Sequence, residues 1–409
     1  MPEEEDGRNR PRIGFLITEL GAGGAEKVVF ELARRLDRKR FDVAGVMCLG
    51  PAEGFYAGEL DRVGVPVYGC GARGAIDAPW ALLRLRKAIA GSKLDLLHAH
   101  LFHASAAAHM AAPRRRVPHL VVTHHFNEPR EGRFRFERMV GRRPSAVTAV
   151  SRSVADRVAR GLKLGSSAVR VIPNGVDAAA IESRARKARG EARRRLRLPE
   201  DVRVIGTVGR LSPEKDPLTL LEAFARLARE DQSLRLVYVG DGDLHEAVHK
   251  RIGELGLRER ARVVGFWSDV PAALAALDVF VLTSITEGHP LALLEAMAAG
   301  RPVVASRIPA VLEVLGPVEE GALTCAPGSS EQFAAAIRKL LDDRVLAAGC
   351  AAAAAARVAG SYDMESMLEA YEGLFAELLE LPPAATDPDR SGASGAGRRK
   401  GLTAPYGKL

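Results

Sequence analysis

Two glutamates eight residues apart, Glu287 and Glu295, lie in the segment TSITEGHPLALLEAMAAGRPVVAS, residues 283–306. A short apolar run ends there, a Glu-Gly loop follows, and an apolar helix is predicted to begin near Pro290. Glu287 then stands on the loop at a strand's carboxyl end and Glu295 just over one turn into the helix, so both reach one ligand at the helix N-terminus. Free backbone N–H groups and the positive end of the helix dipole suit a diphosphate there. An ionised carboxylate only accepts hydrogen bonds, so each glutamate is suited to a pair of neighbouring hydroxyls, as on a ribose or a hexose. Taken alone, the spacing also fits a turn residue followed by a solvated helix residue.

A second group of chemistry-bearing residues is GRLSPEKDP, residues 209–217, which follows one predicted strand and precedes a helix. An Arg fork at Arg210 and a mobile ammonium at Lys215 can neutralise a departing diphosphate without a metal. A surface loop with a salt bridge from Lys215 to Glu214 or Asp216 is the alternative. The third group is GAGGAEK, residues 21–27, between the first strand and the first helix. It follows neither the dinucleotide fingerprint nor the Walker pattern, so Gly23 and Gly24 are read as close backbone approach to a ligand. His98, His100, His103, His124 and His125 cluster in the first half. His98 and His100 would share one face of a strand, but without an accompanying carboxylate or cysteine pattern no metal site is expected. Asp241-Gly242-Asp243 is read as a tight turn rather than a metal motif.

These loops need elements to hold them. Short β-branched runs at Ile13–Thr18, Phe41–Cys48, Val65–Tyr68, Leu94–His98, Leu120–Thr123, Ala146–Val150 and Val169–Ile172 alternate with amphipathic stretches, the rhythm of βαβ units. A second series runs Val202–Val208, Leu234–Val239, Ala261–Val264, Val279–Leu282, Pro302–Ala305 and Leu323–Cys325. The fold class expected is therefore α/β, two Rossmann-like, doubly wound parallel-sheet domains facing across a cleft, where ligands of open sheets bind. The boundaries read 12–180 for the first domain and 201–360 for the second. Residues 181–200 read as a charged connecting helix or linker with little apolar periodicity, and 361–381 as a helix packing back on the domains. Residues 1–11 and 382–409 read as disordered.

A chain of 409 residues, 47% hydrophobic and 27% charged, is long enough for two separate cores. Cys48, Cys70, Cys325 and Cys350 show no paired spacing, which suggests free thiols in a reducing compartment. The acidic N-terminus lacks an apolar run, and the alanine-rich Val345–Ala356 is too short for a membrane span, so a cytoplasmic protein is expected. Charge is uneven: residues 1–200 hold 37 Lys and Arg against 22 Asp and Glu, and residues 201–409 hold 22 against 29. The excess in the first half suggests an anionic partner. Arg114, Arg115 and Arg116, then Arg130, Arg133, Arg135, Arg138, Arg142 and Arg143 interleaved with Phe134, Phe136 and Met139, suggest a helix near 133–140 that holds an anionic acceptor or rests on an anionic membrane surface; the alternative is that these residues cover the domain's own core and its solvated rim.

Taken together, GGAEK at Gly23, the D-x-x-H-x-H segment at Asp95, VVTHH at Val121, IPNGVD at Ile172, GRLSPEK at Gly209, VGDG at Val239 and EGHPLALLEAMAAGRPVVAS at Glu287 resemble the retaining GT-B glycosyltransferases of glycosyltransferase family 4. The resemblance runs from about Ile13 to Tyr371. It implies that Glu287 holds donor-sugar hydroxyls, Glu295 holds the ribose diol, and Arg210 and Lys215 bind the diphosphate. It implies a place for His125 beside the donor sugar and for Gly23 and Gly24 near the phosphates. The backbone of Gly288, His289, Pro290 and Leu291 would touch sugar and phosphate, and His124 would face the sheet interior. The implied reaction retains the anomeric configuration and needs no metal or cofactor, with a nucleotide diphosphate sugar, commonly a uridine one, as co-substrate. A sugar or lipid-linked acceptor and no nucleic acid complete the implied partners. His289 departs from the family's usual Phe, and Glu313 lacks the usual Gly-Gly before it. A sugar-nucleotide epimerase and a non-catalytic sugar-nucleotide-binding subunit remain as alternative readings.

Overall fold

The structure is a computed structural model and describes residues 10–140, 144–199, 201–316 and 321–382. The expected disorder of residues 1–9 and 383–409 therefore falls outside the described residues, as do Arg142 and Arg143.

The first half places strands β1 (Arg12–Ile17), β2 (Asp42–Cys48), β3 (Val67–Gly69), β4 (Leu96–His100), β5 (His119–His124), β6 (Ala146–Ala149) and β7 (Val169–Val171) in one sheet of order β3-β2-β1-β4-β5-β6-β7. Its helices are α1 (Gly24–Arg35), α2 (Phe55–Arg62), α3 (Ala78–Ser92), α4 (Phe102–Ala111), α5 (Glu131–Met139) and α6 (Arg152–Leu162). The long α7 (Ala178–Arg195) leads into the second half. There β8 (Arg203–Val208), β9 (Leu234–Val239), β10 (Ala261–Val263), β11 (Val279–Leu282), β12 (Val303–Ser306) and β13 (Leu323–Cys325) pair in the order β10-β9-β8-β11-β12-β13. They alternate with α8 (Pro217–Glu230), α9 (His245–Glu254), α10 (Val270–Ala275), α11 (Leu291–Ala298), α12 (Pro309–Leu315) and α13 (Ser330–Asp342), followed by α14 (Arg344–Ser361) and α15 (Met364–Leu378).

All named strand pairs are parallel. The strand order reverses between β1 and β4 in one sheet and between β8 and β11 in the other. At such switch points the loops leave in opposite directions and open a crevice at the strands' carboxyl ends. The loops after β1, β8 and β11 carry the glycine run, Arg210 with Lys215, and Glu287.

The stretch read as a charged connection departs from that reading in its periodicity. Ile181, Ala185, Ala188 and Ala192 are buried on one face of α7, at the i, i+4, i+7, i+11 spacing of a helix stripe. Alanines bury little area each, so a search for large apolar side chains passes over them. Arg189 Nη2 and Arg193 Nη2 donate to the two oxygens of Asp278 at 2.6 and 2.8 Å, which fastens α7 beside β11. At the far end α15 returns to the first sheet. Phe375 packs edge-on to Phe41, the Tyr371 hydroxyl lies 3.5 Å from Thr123 Oγ1, and Glu372 Oε1 accepts the Asp37 N–H at 2.8 Å. Among the described residues no helix is long and apolar enough to cross a membrane.

Candidate active site in the interdomain cleft

The second-domain side of the cleft is built by two loops locked together. Thr283 Oγ1 donates into the carbonyls of Lys215 and Asp216 at 3.0 and 2.8 Å, and the Ile285 N–H reaches the Glu214 carbonyl at 2.8 Å. Asp216 adopts a left-handed backbone and caps α8 through Thr219, which turns Lys215 back toward the cleft. Lys215 Nζ therefore meets Glu287 Oε1 at 2.5 Å, and the Ser284 hydroxyl donates to the same oxygen at 2.6 Å. The partner of Lys215 is thus Glu287 on the neighbouring loop, not the adjacent Glu214 or Asp216. Arg210 is exposed at the mouth.

Pro290 precedes α11 and Leu291 opens it, so Glu295 falls one turn in and is buried. From the first domain, the Asn127 amide donates to the Glu287 carbonyl and the Asn174 amide to the His289 carbonyl, both at 3.0 Å. Gly288 lies against the His125 carbonyl so closely that a Cβ there would fall onto the oxygen. Neither asparagine stood out by residue type, although Asn174 belongs to IPNGVD and Asn127 follows His125 by two places.

In the glycine run Gly23 precedes α1 and Gly24 opens it. The Glu26 carboxylate folds back over Gly23 and fills the space a side chain there would need. Burial pushes the Glu26 carboxyl up to about 7, against its own backbone N–H and the charge of Arg210. Lys27, one residue on, spans the cleft and hydrogen-bonds Glu295 Oε1.

The histidines form two groups. His98 Nε2 lies 2.7 Å from Thr123 Oγ1, and His100 Nδ1 lies 2.9 Å from His125 Nε2. Burial lowers all three rings below the usual imidazole range, His125 to about 3. His124 points the other way, buried against Phe134 and Glu137 of α5. Burial lowers it to about 4 and raises Glu137 to about 7. His289 is 4% exposed, its ring lies on Tyr362, and no described group hydrogen-bonds either nitrogen. It fills an apolar slot, and only its backbone faces the Asn174 contact. Asp241 closes its turn by accepting from the Gly242 N–H and pairing with His245, both at 2.8 Å. Glu313, left without a role from the sequence, accepts the Arg152 N–H with both oxygens at 3.0 Å and so joins the two domains.

Two Rossmann-like domains meeting over paired cations and carboxylates define the GT-B class of fold. A protein of Anabaena, Alr3699/HepE, solved in complex with UDP and glucose, shares this fold at a TM-score of 0.78 and 24% identity, over 90% of this chain and 100% of that one. Residues 22–180 match the model of Glycosyltransferase Family 4 and residues 188–357 that of Glycosyl transferases group 1. The chain belongs to this glycosyltransferase family. It is 32% identical over 213 residues to the 2-deoxystreptamine glucosyltransferase of Streptomyces kanamyceticus, covering 51% of this chain and 54% of that protein. It is 28% identical to the UDP-Gal:alpha-D-GlcNAc-diphosphoundecaprenol alpha-1,3-galactosyltransferase of Escherichia coli, over 70% of this chain and 76% of that one. The match thus spans about half the length of the first of these relatives and three quarters of the second.

Proposed function

We propose that the protein is a retaining, metal-independent glycosyltransferase that moves a sugar from a nucleotide diphosphate sugar, a UDP-sugar, to an acceptor hydroxyl in the assembly of a cell-surface polysaccharide or glycolipid. The observation that carries this reading is the grouping of Glu287, Lys215 and Glu295 around the α11 N-terminus, with Arg210 at the mouth. The neighbouring Anabaena protein was solved with UDP-glucose, and the Escherichia coli relative is named for a UDP-Gal donor and a lipid-linked acceptor.

In this reading the ribose diol donates to Glu295 and sugar hydroxyls donate to Glu287. The diphosphate lies between the α11 N-terminus and the side chains of Arg210 and Lys215. When the bond from the anomeric carbon to the β-phosphate oxygen breaks, its electron pair goes to the phosphate, where the two cations and the helix N–H groups stabilise it. The acceptor hydroxyl attacks the face from which the diphosphate leaves and gives its proton to a phosphate oxygen. Lys215 then holds a double role, orienting Glu287 before the donor arrives and meeting negative charge as it develops. His125, with Nε2 toward His100 and kept neutral by burial, lies beside the donor sugar. Catalysis consists of positioning and electrostatics.

The two glutamates provide the test. Glu295→Ala is expected to weaken UDP binding, because ribose is held throughout the cycle, whereas Glu287→Ala is expected to lower kcat with a smaller effect on KM. Loss of one charged hydrogen-bond partner corresponds to about 1.5–3 kcal/mol. Unchanged UDP affinity in Glu295→Ala refutes the assignment. Release of UDP only when an acceptor is present separates transfer from epimerisation.

A peripheral membrane contact is proposed on a narrower basis than the sequence suggested. Phe134 is buried in the first domain's core and Arg133 pairs with Glu128, so neither is free for lipid. Phe136 and Met139 remain exposed on α5 at 42% and 72%, beside exposed Arg135 and beside Arg138, which donates to the Gly161 carbonyl.

A further inference from the structure

Lys27 is a charged side chain in the cleft to which the reaction described above gives no part. It leaves the first turn of α1 and reaches across the domains to Glu295 Oε1. The N-termini of α1 and α11 come together at this place, since a Cβ at Gly24 would stand 3.5 Å from Leu291 Cδ1. Two positive helix ends therefore converge where the diphosphate is expected, that of α1 partly covered by the Glu26 carboxyl, which takes its own backbone N–H. Glu295 is buried, and a buried carboxylate stripped of its counter-ion is strongly destabilising, so the ion pair with Lys27 holds that charge in place. The ammonium remains charged there: burial opposes its charge, but Glu295 raises its pKa above the ordinary lysine value. The same carboxylate must accept the ribose hydroxyls when a donor binds. Lysine has three donors on a flexible stem and can turn to a new anion without moving its helix.

We propose that Lys27 is a donor-site residue supplied by the first domain, the counter-ion of Glu295 before a donor binds and a ligand of the diphosphate once the ribose diol has taken the carboxylate. The proposal rests on the donor reading above. It gives Lys27 a selective role, because only a ligand that brings phosphates offers the displaced ammonium a new partner. A nucleoside breaks the pair and returns nothing, so Lys27 favours nucleotides over nucleosides.

Calorimetric titration of the whole chain with UDP and with uridine tests this. Lys27→Met is expected to weaken UDP by about 10- to 100-fold, the scale of one charge-assisted hydrogen bond, and to leave uridine unchanged or tighter. Lys27→Arg is expected to retain the preference for UDP. Should the single variant fail to fold, Lys27→Met combined with Glu295→Gln removes both buried charges, and its UDP affinity is compared with that of Glu295→Gln alone, where the same loss is expected. Equal losses for UDP and uridine would show that Lys27 merely holds Glu295 in place, and unchanged UDP affinity would show that it never meets the diphosphate; either overturns the proposal. A wild-type chain that binds neither UDP nor UDP-glucose overturns the donor reading itself, a result distinct from both variant patterns.

Discussion

His289 stands where the family resemblance leads one to expect Phe, and its surroundings suit the ring better than the nitrogens. It is buried on Tyr362 with both nitrogens unpaired among the described residues, and burial lowers its pKa to about 3. His289→Phe removes two buried polar atoms while its backbone contact to Asn174 survives. The variant is expected to gain roughly 1–3 kcal/mol in thermal unfolding, with donor affinity unchanged; a lower melting temperature would show that the imidazole has a partner. The cations at Arg210 and Lys215 lead to a second expectation at this scale. In the proposed mechanism they supply the positive charge that a metal would otherwise bring to the leaving group, so turnover is expected to be the same in EDTA. Activity lost to chelator and restored by magnesium or manganese would mean that the Asp241 turn had been misread. The candidate site residues stood out by type, because carboxylates, guanidinium and glycine each announce their chemistry. Their pairings were not: Lys215 has two acidic neighbours in sequence yet meets Glu287, 72 residues away.

Among elements, strands were the most legible. Every predicted strand lies within two residues of the observed one, since parallel strands buried on both faces leave short β-branched runs that few other structures need. Helix α7 was harder, because its buried stripe is mostly alanine. Helix α5 divides the earlier expectation: its spacing exposes Phe136 and Met139 but turns Phe134 inward against Gly161 and Val158. Arg114, Arg115 and Arg116 are also exposed, and the protein is expected to favour anionic over neutral vesicles in co-sedimentation. Each cation near the surface contributes about 1 kcal/mol, lost at high salt. Equal binding to both vesicles, or binding to neither, would rule out the contact.

Across the whole molecule, buried titratable groups predict an acid limit on stability. His98 and His100 are lowered well below the unperturbed 6.5, His124 to about 4, and His125 and His289 to about 3. A depressed folded pKa means that the unfolded chain binds more protons, so this stability is present above pH 6.5 and is lost as pH falls toward about 4 and then 3. Glu26 and Glu137, raised from 4.5 to about 7, act in the opposite sense: their contribution is present below 4.5 and is lost as pH rises through 7. Five histidines outweigh two glutamates, so the melting temperature is expected to fall as pH drops below 6.5, and His289→Phe should make that fall shallower. A melting temperature that rises on acidification would contradict the buried, neutral histidines. Helix α15 ties these properties together, since it packs Tyr371 and Phe375 against His98.

By itself the sequence determined the succession of strands and helices, the loops at strand ends and the chemical types gathered there. Those features depend on side-chain periodicity, turn sterics and helix starts, all set by residues a few places apart. Only the tertiary structure decided that Lys27 lies on Glu295, 268 residues distant, and that two asparagines hold the Glu287 loop to the first domain. It likewise decided that His289 is buried and that Phe134 belongs to the core. Ion pairing, desolvation and packing depend on distances through space and on what excludes water, and separation along the chain carries neither.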